Sequence, residues 1–414
     1  MANTWSKIMS RAPFLRRLAI VFADELRLKI ITELYMREMS PKLFFEEFGG
    51  GSIARVDRHF KRLSTHHWLR LIRRESGGSR RGATEHFYRA PELAVFDNET
   101  WALLPYSMRV AINCRTFNQL AERVRDALQA GTLDARPDSH LTWTPLLLDQ
   151  LGWERVIAAI DALFESLFEE QADAKLRIFN SREEPILATV ALVGFESPAG
   201  PPGRLEDPTT PRLVEVEDSA VPLSLRLAKV FADPVCLRIV AELNLREMSA
   251  SQFHAEFGGA SIEGIRRRFK MLAEIDWLMK TGEKTGGRRR GATENFYRAT
   301  GPAVFGGDIW ADLPASLKST FSWRTFEQLS DQIKEAIEAG TFEARPDDHF
   351  TWSLLRLDQQ GWEKVIAAVD ELFAFLFEEQ KSAKRRIADS GEKPIKMTVA
   401  LAAFESPQDS VKAP

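Results

Sequence analysis

The sequence has almost no cysteine: only Cys114 and Cys236 occur in 414 residues. They do not occupy equivalent places in the internal repeat described below. A disulfide framework needs more cysteines at regular spacing, so a reducing, cytoplasmic setting is expected. No window approaches the roughly 20 apolar residues that cross a bilayer, so no membrane partner is expected. Residues Met1 to Arg17 carry Lys7, Arg11, Arg16 and Arg17 but no uninterrupted apolar core of a signal peptide. Catalytic constellations are missing as well. There is no phosphate-cradling glycine loop at a strand–helix junction, no Ser/His/Asp set present in both repeats and no supported carboxylate pair. The chain therefore reads as a non-enzyme with no cofactor. Its histidines make no metal set, because His66-His67 become Ile275-Asp276 in the second repeat. His140 and His349 do repeat, but without a cysteine or second histidine at ligand spacing. They read as surface or strand-edge residues.

What the sequence does contain is itself, twice. Phe22-Ala23-Asp24 returns as Phe231-Ala232-Asp233, Arg37-Glu38-Met39-Ser40 as Arg246-Glu247-Met248-Ser249, and Gly82-Ala83-Thr84-Glu85 as Gly291-Ala292-Thr293-Glu294. Phe195-Glu196-Ser197-Pro198 returns as Phe404-Glu405-Ser406-Pro407, at the same offset of 209 residues. Two long copies are a duplicated domain pair rather than a solenoid. The expected organisation is residues 14–95 and 96–198, a proline-rich linker over 199–222, then residues 223–304 and 305–407.

The first part of each copy alternates helical runs with a short hairpin. A helix is expected from about Leu18 to Leu34. Ser40-Pro41 offers an N-cap and a first-turn proline for a short helix to Phe48, and Gly49-Gly50-Gly51 makes a tight turn. Ser52 then caps a third helix whose apolar residues Ile53, Val56, Phe60 and Leu63 share one face, with Ser261, Ile262, Ile265, Phe269 and Leu272 as their counterparts. Trp68 to Arg73 and Glu85 to Arg89 read as strands joined by a glycine- and arginine-rich tip. The second part of each copy has a helix marked by Val110, Phe117, Leu120, Val124 and Leu128, ending at Gly131. A wide apolar stripe from Val156 to Phe168 follows, then a strand from Ile186 to Phe195. Trp143, Trp153 and their counterparts Trp352 and Trp362 read as core, and Glu169-Glu170 and Glu378-Glu379 as solvent-facing.

The net charge of −3 conceals a strong segregation. From Ser52 to Arg89 ten basic residues stand against three acidic ones, and from Ser261 to Arg298 ten against five, nets of +7 and +5. The rest of the chain therefore carries −15. Concentrated positive charge on one helix and hairpin is the electrostatic footprint of a DNA-binding face.

The run Phe22-Ala23-Asp24-x-Leu26-Arg27-Leu28-x-Ile30, the helix end Arg58-His59-Phe60-x-x-Leu63 and the Trp68 hairpin resemble the ArsR-like winged helix-turn-helix regulators over about 75 residues of each copy. The resemblance implies a compact winged helix in each copy; with the repeat and the patterns above, the expected fold is α+β and mainly helical, two tandem winged helices each followed by a helix-rich accessory or dimerisation region with a few strands. It also implies transcriptional regulation, most often repression, through double-stranded DNA. The cysteine pair of the family's metal sensors is absent here, so no metal is expected. The residues expected at DNA are Ser52, Arg55, Arg58, His59, Arg62, Arg80 and Arg81 in the first copy. In the second they are Ser261, Arg266, Arg267, Arg268, Arg288, Arg289 and Arg290. The two copies are expected to pair intramolecularly through the long apolar-striped helices. Further homo-oligomerisation and a small-molecule effector stay open. The alternative is a ligand-sensing or protein-docking adaptor whose DNA binding has decayed in one or both copies.

Overall fold

Asp24 divides what reads as one helix into two. Residues 17–22 are helical, but Asp24 is extended (φ −149°, ψ 124°), and its carboxylate accepts the Leu26 N–H, so a new helix starts at Glu25. A side chain that satisfies an orphan N–H of the following turn outweighs the helical continuity of its neighbours. The second copy shows this more openly, because Asp233 caps and Pro234 occupies the first turn. The computed structural model describes residues 17–76, 84–92, 94, 98–198, 226, 229–285, 293–301, 313–345 and 347–407. These residues form a mixed α and β fold with antiparallel sheets.

In the first copy α1 (Glu25–Met36), α2 (Pro41–Phe48) and α3 (Ile53–Thr65) are followed by β1 (Arg70–Ser76) and β2 (Thr84–Arg89), then α4 (Asn98–Ala102) and α5 (Tyr106–Ala130). β3 (His140–Leu148), α6 (Gln150–Ser181) and β4 (Ile186–Glu196) complete it. The second copy runs α7 (Pro234–Leu245), β5 (Met248–Ser249), α8 (Ala250–Phe257), α9 (Ile262–Glu274), β6 (Leu278–Thr285) and β7 (Thr293–Ala299). It ends with α10 (Ala315–Ala339), β8 (His349–Leu357), α11 (Gln359–Ser390) and β9 (Ile395–Glu405). The expected linker over 199–222 lies outside the described residues. Two compact units are distinguished, Met1–Glu122 with Leu354–Arg356, and Arg123–Ser353 with Leu357–Pro414. Among the described residues, no helix is long and apolar enough to cross a membrane.

In the first unit the three helices close on the hairpin through aromatic residues. Phe60 is fully buried and meets Phe44 and Tyr88 edge-on, with ring centroids 5.8 and 5.6 Å away. The second unit repeats this with Phe269 between Phe253 and Tyr297, at 5.9 and 5.6 Å. Edge-on pairs suit the ring quadrupoles and add to the roughly 1.5–3 kcal/mol of burying such a side chain. Gly50 turns the chain between α2 and α3 at φ +113°, with Val56 so close that a Cβ would sit 2.9 Å from its Cγ2. Only glycine combines that backbone with that approach.

A four-stranded antiparallel sheet has the order β3-β9-β4-β8, so strands of the two copies interleave. β9 pairs with β3 (His140 opposite Ala403) and with β4 (Ala191 opposite Ala402). Being interior, β4 and β9 are buried along nearly their whole length, which removes the polar alternation of a half-exposed strand. β3 is an edge strand, where Pro145 leaves no ladder bond unmade. The repeated motifs tie this exchange together. Ser197 and Ser406 bond Thr398 and Thr189 of the other copy's strand at 2.5 and 2.6 Å, while Glu196 and Glu405 accept from Arg345 and Arg136 at 2.8 Å. The indoles of Trp153 and Trp362, both fully buried, donate to Asp347 and Asp138 at 2.8 and 2.7 Å.

α6 and α11 pack antiparallel beside this sheet, the start of each against the last third of the other. Glycine makes the approach possible, since a Cβ on Gly152 would lie 3.3 Å from Ala383 Cβ, and one on Gly361 3.2 Å from Ala174 Cβ. Asp149 caps α6 and also takes Arg386 of α11 in a two-pronged pair (2.5 and 2.7 Å). Asp358 and Arg177 mirror it at 2.6 and 2.8 Å. The expectation of solvent-facing glutamates fails for half of them. Glu170 and Glu379 turn inward to Arg177 and Arg386, while Glu169 and Glu378 stay exposed. Each guanidinium has N–H groups left beyond its two-pronged bond, and a glutamate of the same helix accepts from one of them.

Candidate functional site

The third helix of each copy concentrates the exposed charge. Ser52 accepts the Arg55 N–H and starts α3; Val56, Phe60 and Leu63 are its buried side. Residues 100° apart then place Ala54, Arg55, Arg58, Lys61, Arg62 and Thr65 together on the opposite face, and all six are exposed. Lys61 pairs with Asp57 at 2.6 Å and Arg55 lies 3.7 Å from Asp24. Among the described residues no carboxylate pairs with Arg58 or Arg62.

His59 does not share that face. Its Nδ1 accepts from Arg27 Nε at 3.1 Å, its Nε2 lies 3.7 Å from Asp24, and its side chain is only 12% exposed. Burial pushes its pKa below the ordinary histidine value; Asp24 opposes the shift, and Arg27, Arg55 and Arg58 reinforce it. The ring is therefore a neutral acceptor that fixes α3 against α1. Arg268, its counterpart, does the same work differently. It donates to Asp233 at 2.7 Å and to the Gly264 carbonyl at 3.2 Å. A Cβ on Gly264 would come within 3.3 Å of that guanidinium and 3.2 Å of the Ser261 hydroxyl. Sequence spacing alone put His59 and Arg268 among the DNA contacts; the Asp24 and Asp233 caps, close in space but 35 residues away, draw both inward.

On α9, Ser261 caps by accepting from Gly264 N–H, Arg267 is exposed without an acidic partner among the described residues, and Arg266 lies 3.7 Å from Glu263. The arginines expected at the hairpin tips, Arg80, Arg81, Arg288, Arg289 and Arg290, lie outside the described residues. Below the tip, Arg70 and Arg74 are exposed on β1, and Arg73 lies over Phe87 at 3.7 Å while bonding Glu38. The hairpin is tied to the helices by an interaction that sequence reasoning missed. Ser40, the cap of α2, donates to Glu85 of β2, and Ser249 to Glu294. The signal was visible, since both residues belong to the repeated motifs. His140 and His349 stand on the edge strands β3 and β8, but they are largely enclosed rather than at the surface. His349 bonds Asp161 and Thr351 at 2.8 Å, and His140 bonds Thr142 at 2.9 Å.

A cationic helix face of this kind can contact a polyanion. Among the described residues no group of three potential metal-ligating side chains occurs. Compared with family models, curated proteins and solved structures, the chain shows no significant match to any of them.

Proposed function

We propose that α1–α3 with β1–β2, and α7–α9 with β6–β7, are winged helix-turn-helix domains. On this reading the protein is a sequence-specific DNA-binding transcriptional regulator, a repressor where its site overlaps a promoter. The observation that carries the reading is the exposed face of α3, with Arg55, Arg58, Lys61 and Arg62 above a buried apolar side. Bidentate arginines read guanine in the major groove, which is wide enough to admit a helix. The interleaved sheet supports a covalently linked pseudo-dimer, because it binds the accessory regions of the two copies to one another.

Fluorescence anisotropy on random-sequence duplex DNA across a salt series tests it. Each phosphate contact contributes a slope of about −0.9 in log K against log salt, so four such contacts give about −3.6. A slope near zero, or no binding at low salt, refutes DNA binding. A second reading, a docking adaptor in which one copy no longer binds DNA, is favoured by the acidic residues Glu263 and Glu274 exposed on α9.

A further inference from the structure

We infer that the two helices read unlike sequences and that guanine reading is concentrated in the first copy, so that the preferred DNA site is asymmetric. This rests on the DNA-binding reading above. The inward sides of α3 and α9 are nearly interchangeable: Val56, Phe60 and Leu63 match Ile265, Phe269 and Leu272, all fully buried or nearly so. The outward sides are not. Ala54, Arg55, Arg58, Lys61, Arg62 and Thr65 carry four positive charges and no negative one. Their counterparts Glu263, Gly264, Arg267, Lys270, Met271 and Glu274 carry two of each and sum to zero.

Three arginines thus face outward on α3, at i, i+3 and i+7, where α9 keeps Arg267 alone. Arg55 has become Gly264, which has no side chain to offer and whose carbonyl accepts from Arg268. Arg62 has become Met271, which is half-buried against the core. The remaining cation of that helix, Arg266, stands toward its side and lies beside Glu263. Equal scaffolds carrying unequal outer faces present different hydrogen-bond donors to the groove. A palindromic site requires equal ones, a constraint that binds a homodimer and not a tandem chain.

The test is selection of bound sequences from a random duplex pool with the full chain, followed by Arg55→Ala, Arg58→Ala, Arg62→Ala and Arg267→Ala. All four residues are exposed, and unchanged far-UV circular dichroism checks that the variants fold. The expected result is a non-palindromic site with guanines on one side. Each first-copy variant should lose discrimination at one of those guanines by about 5- to 150-fold, and Arg267→Ala should relax one position of the other side. A palindrome with equal halves, or an asymmetric site whose guanines depend on Arg267 rather than on the first-copy arginines, overturns the inference and leaves DNA binding intact. Failure to bind any duplex at low salt overturns the DNA-binding reading itself.

Discussion

Replacing Asp149 by alanine should destabilise the interleaved module by about 2–4 kcal/mol, the sum of a lost helix cap and a lost charge-assisted pair whose other partner, Arg386, is partly exposed and keeps a second carboxylate. The carboxylate is 5% exposed and has two roles: it caps α6 through the Gly152 N–H at 2.9 Å and receives both prongs of Arg386. The cap accounts for about 1 kcal/mol of the loss. The rest comes from the two charge-assisted bonds and from stranding Arg386, for which Glu379 remains as a partner. Asp149→Asn keeps a cap oxygen and loses the charge, so it should be milder by about that 1 kcal/mol. Arg386 holds the Asp149 carboxyl below the usual aspartate range, and Arg177 does so for Asp358. Both carboxylates therefore contribute stability above the unfolded value of 3.8, and that stability is lost as pH falls through their lower folded values. Urea unfolding followed by far-UV circular dichroism at pH 7 measures the difference in midpoint. A loss below 1 kcal/mol, or alanine and asparagine behaving alike, would refute this account of the latch.

Burial pushes His140 down to about 4 from 6.5, so the folded protein resists a proton that the unfolded chain accepts. Stability should decline as pH falls from 6.5 towards 4, by up to about 3 kcal/mol, and His140→Phe should flatten that slope in melts between pH 7 and 5. Gly50→Ala should cost about 2 kcal/mol or more, combining a positive φ with the Val56 clash, whereas Gly49→Ala, at φ +73° and facing open space, should cost about 1 kcal/mol. Thermal melts that rank the two glycine variants equally would contradict the contact. Glu85→Ala removes the acceptor of the Ser40 hydroxyl and should lower stability by about 1–2 kcal/mol, with faster amide exchange in β2 as the confirming measurement. Zinc, copper or arsenite titrated into a DNA complex should release no protein stoichiometrically, given the missing cysteine pair; release measured by anisotropy would contradict this.

The short-range features of this protein are set by its sequence. Ser40, Ser52, Ser249 and Ser261 cap helices where serine precedes an apolar-periodic run, and Gly49-Gly50-Gly51 turns the chain because three successive positive φ angles exclude most side chains. The duplication and the outward arginines of α3 are equally legible, since they depend on spacing within one element. Tertiary structure decided what depends on residues far apart in the chain. Asp24 and Asp233 drew His59 and Arg268 towards the helix caps, and the strand β3, interrupted by Pro145, pairs with β9 of the other copy. The Phe-Glu-Ser-Pro motif and the Trp153 and Trp362 pair were visible as repeats, but their partners lie in the opposite copy, as with Glu405 and Arg136 or Trp362 and Asp138. Helical and strand periods report which face of an element is apolar. The identity of the element that covers that face depends on which distant segment meets it in the folded chain.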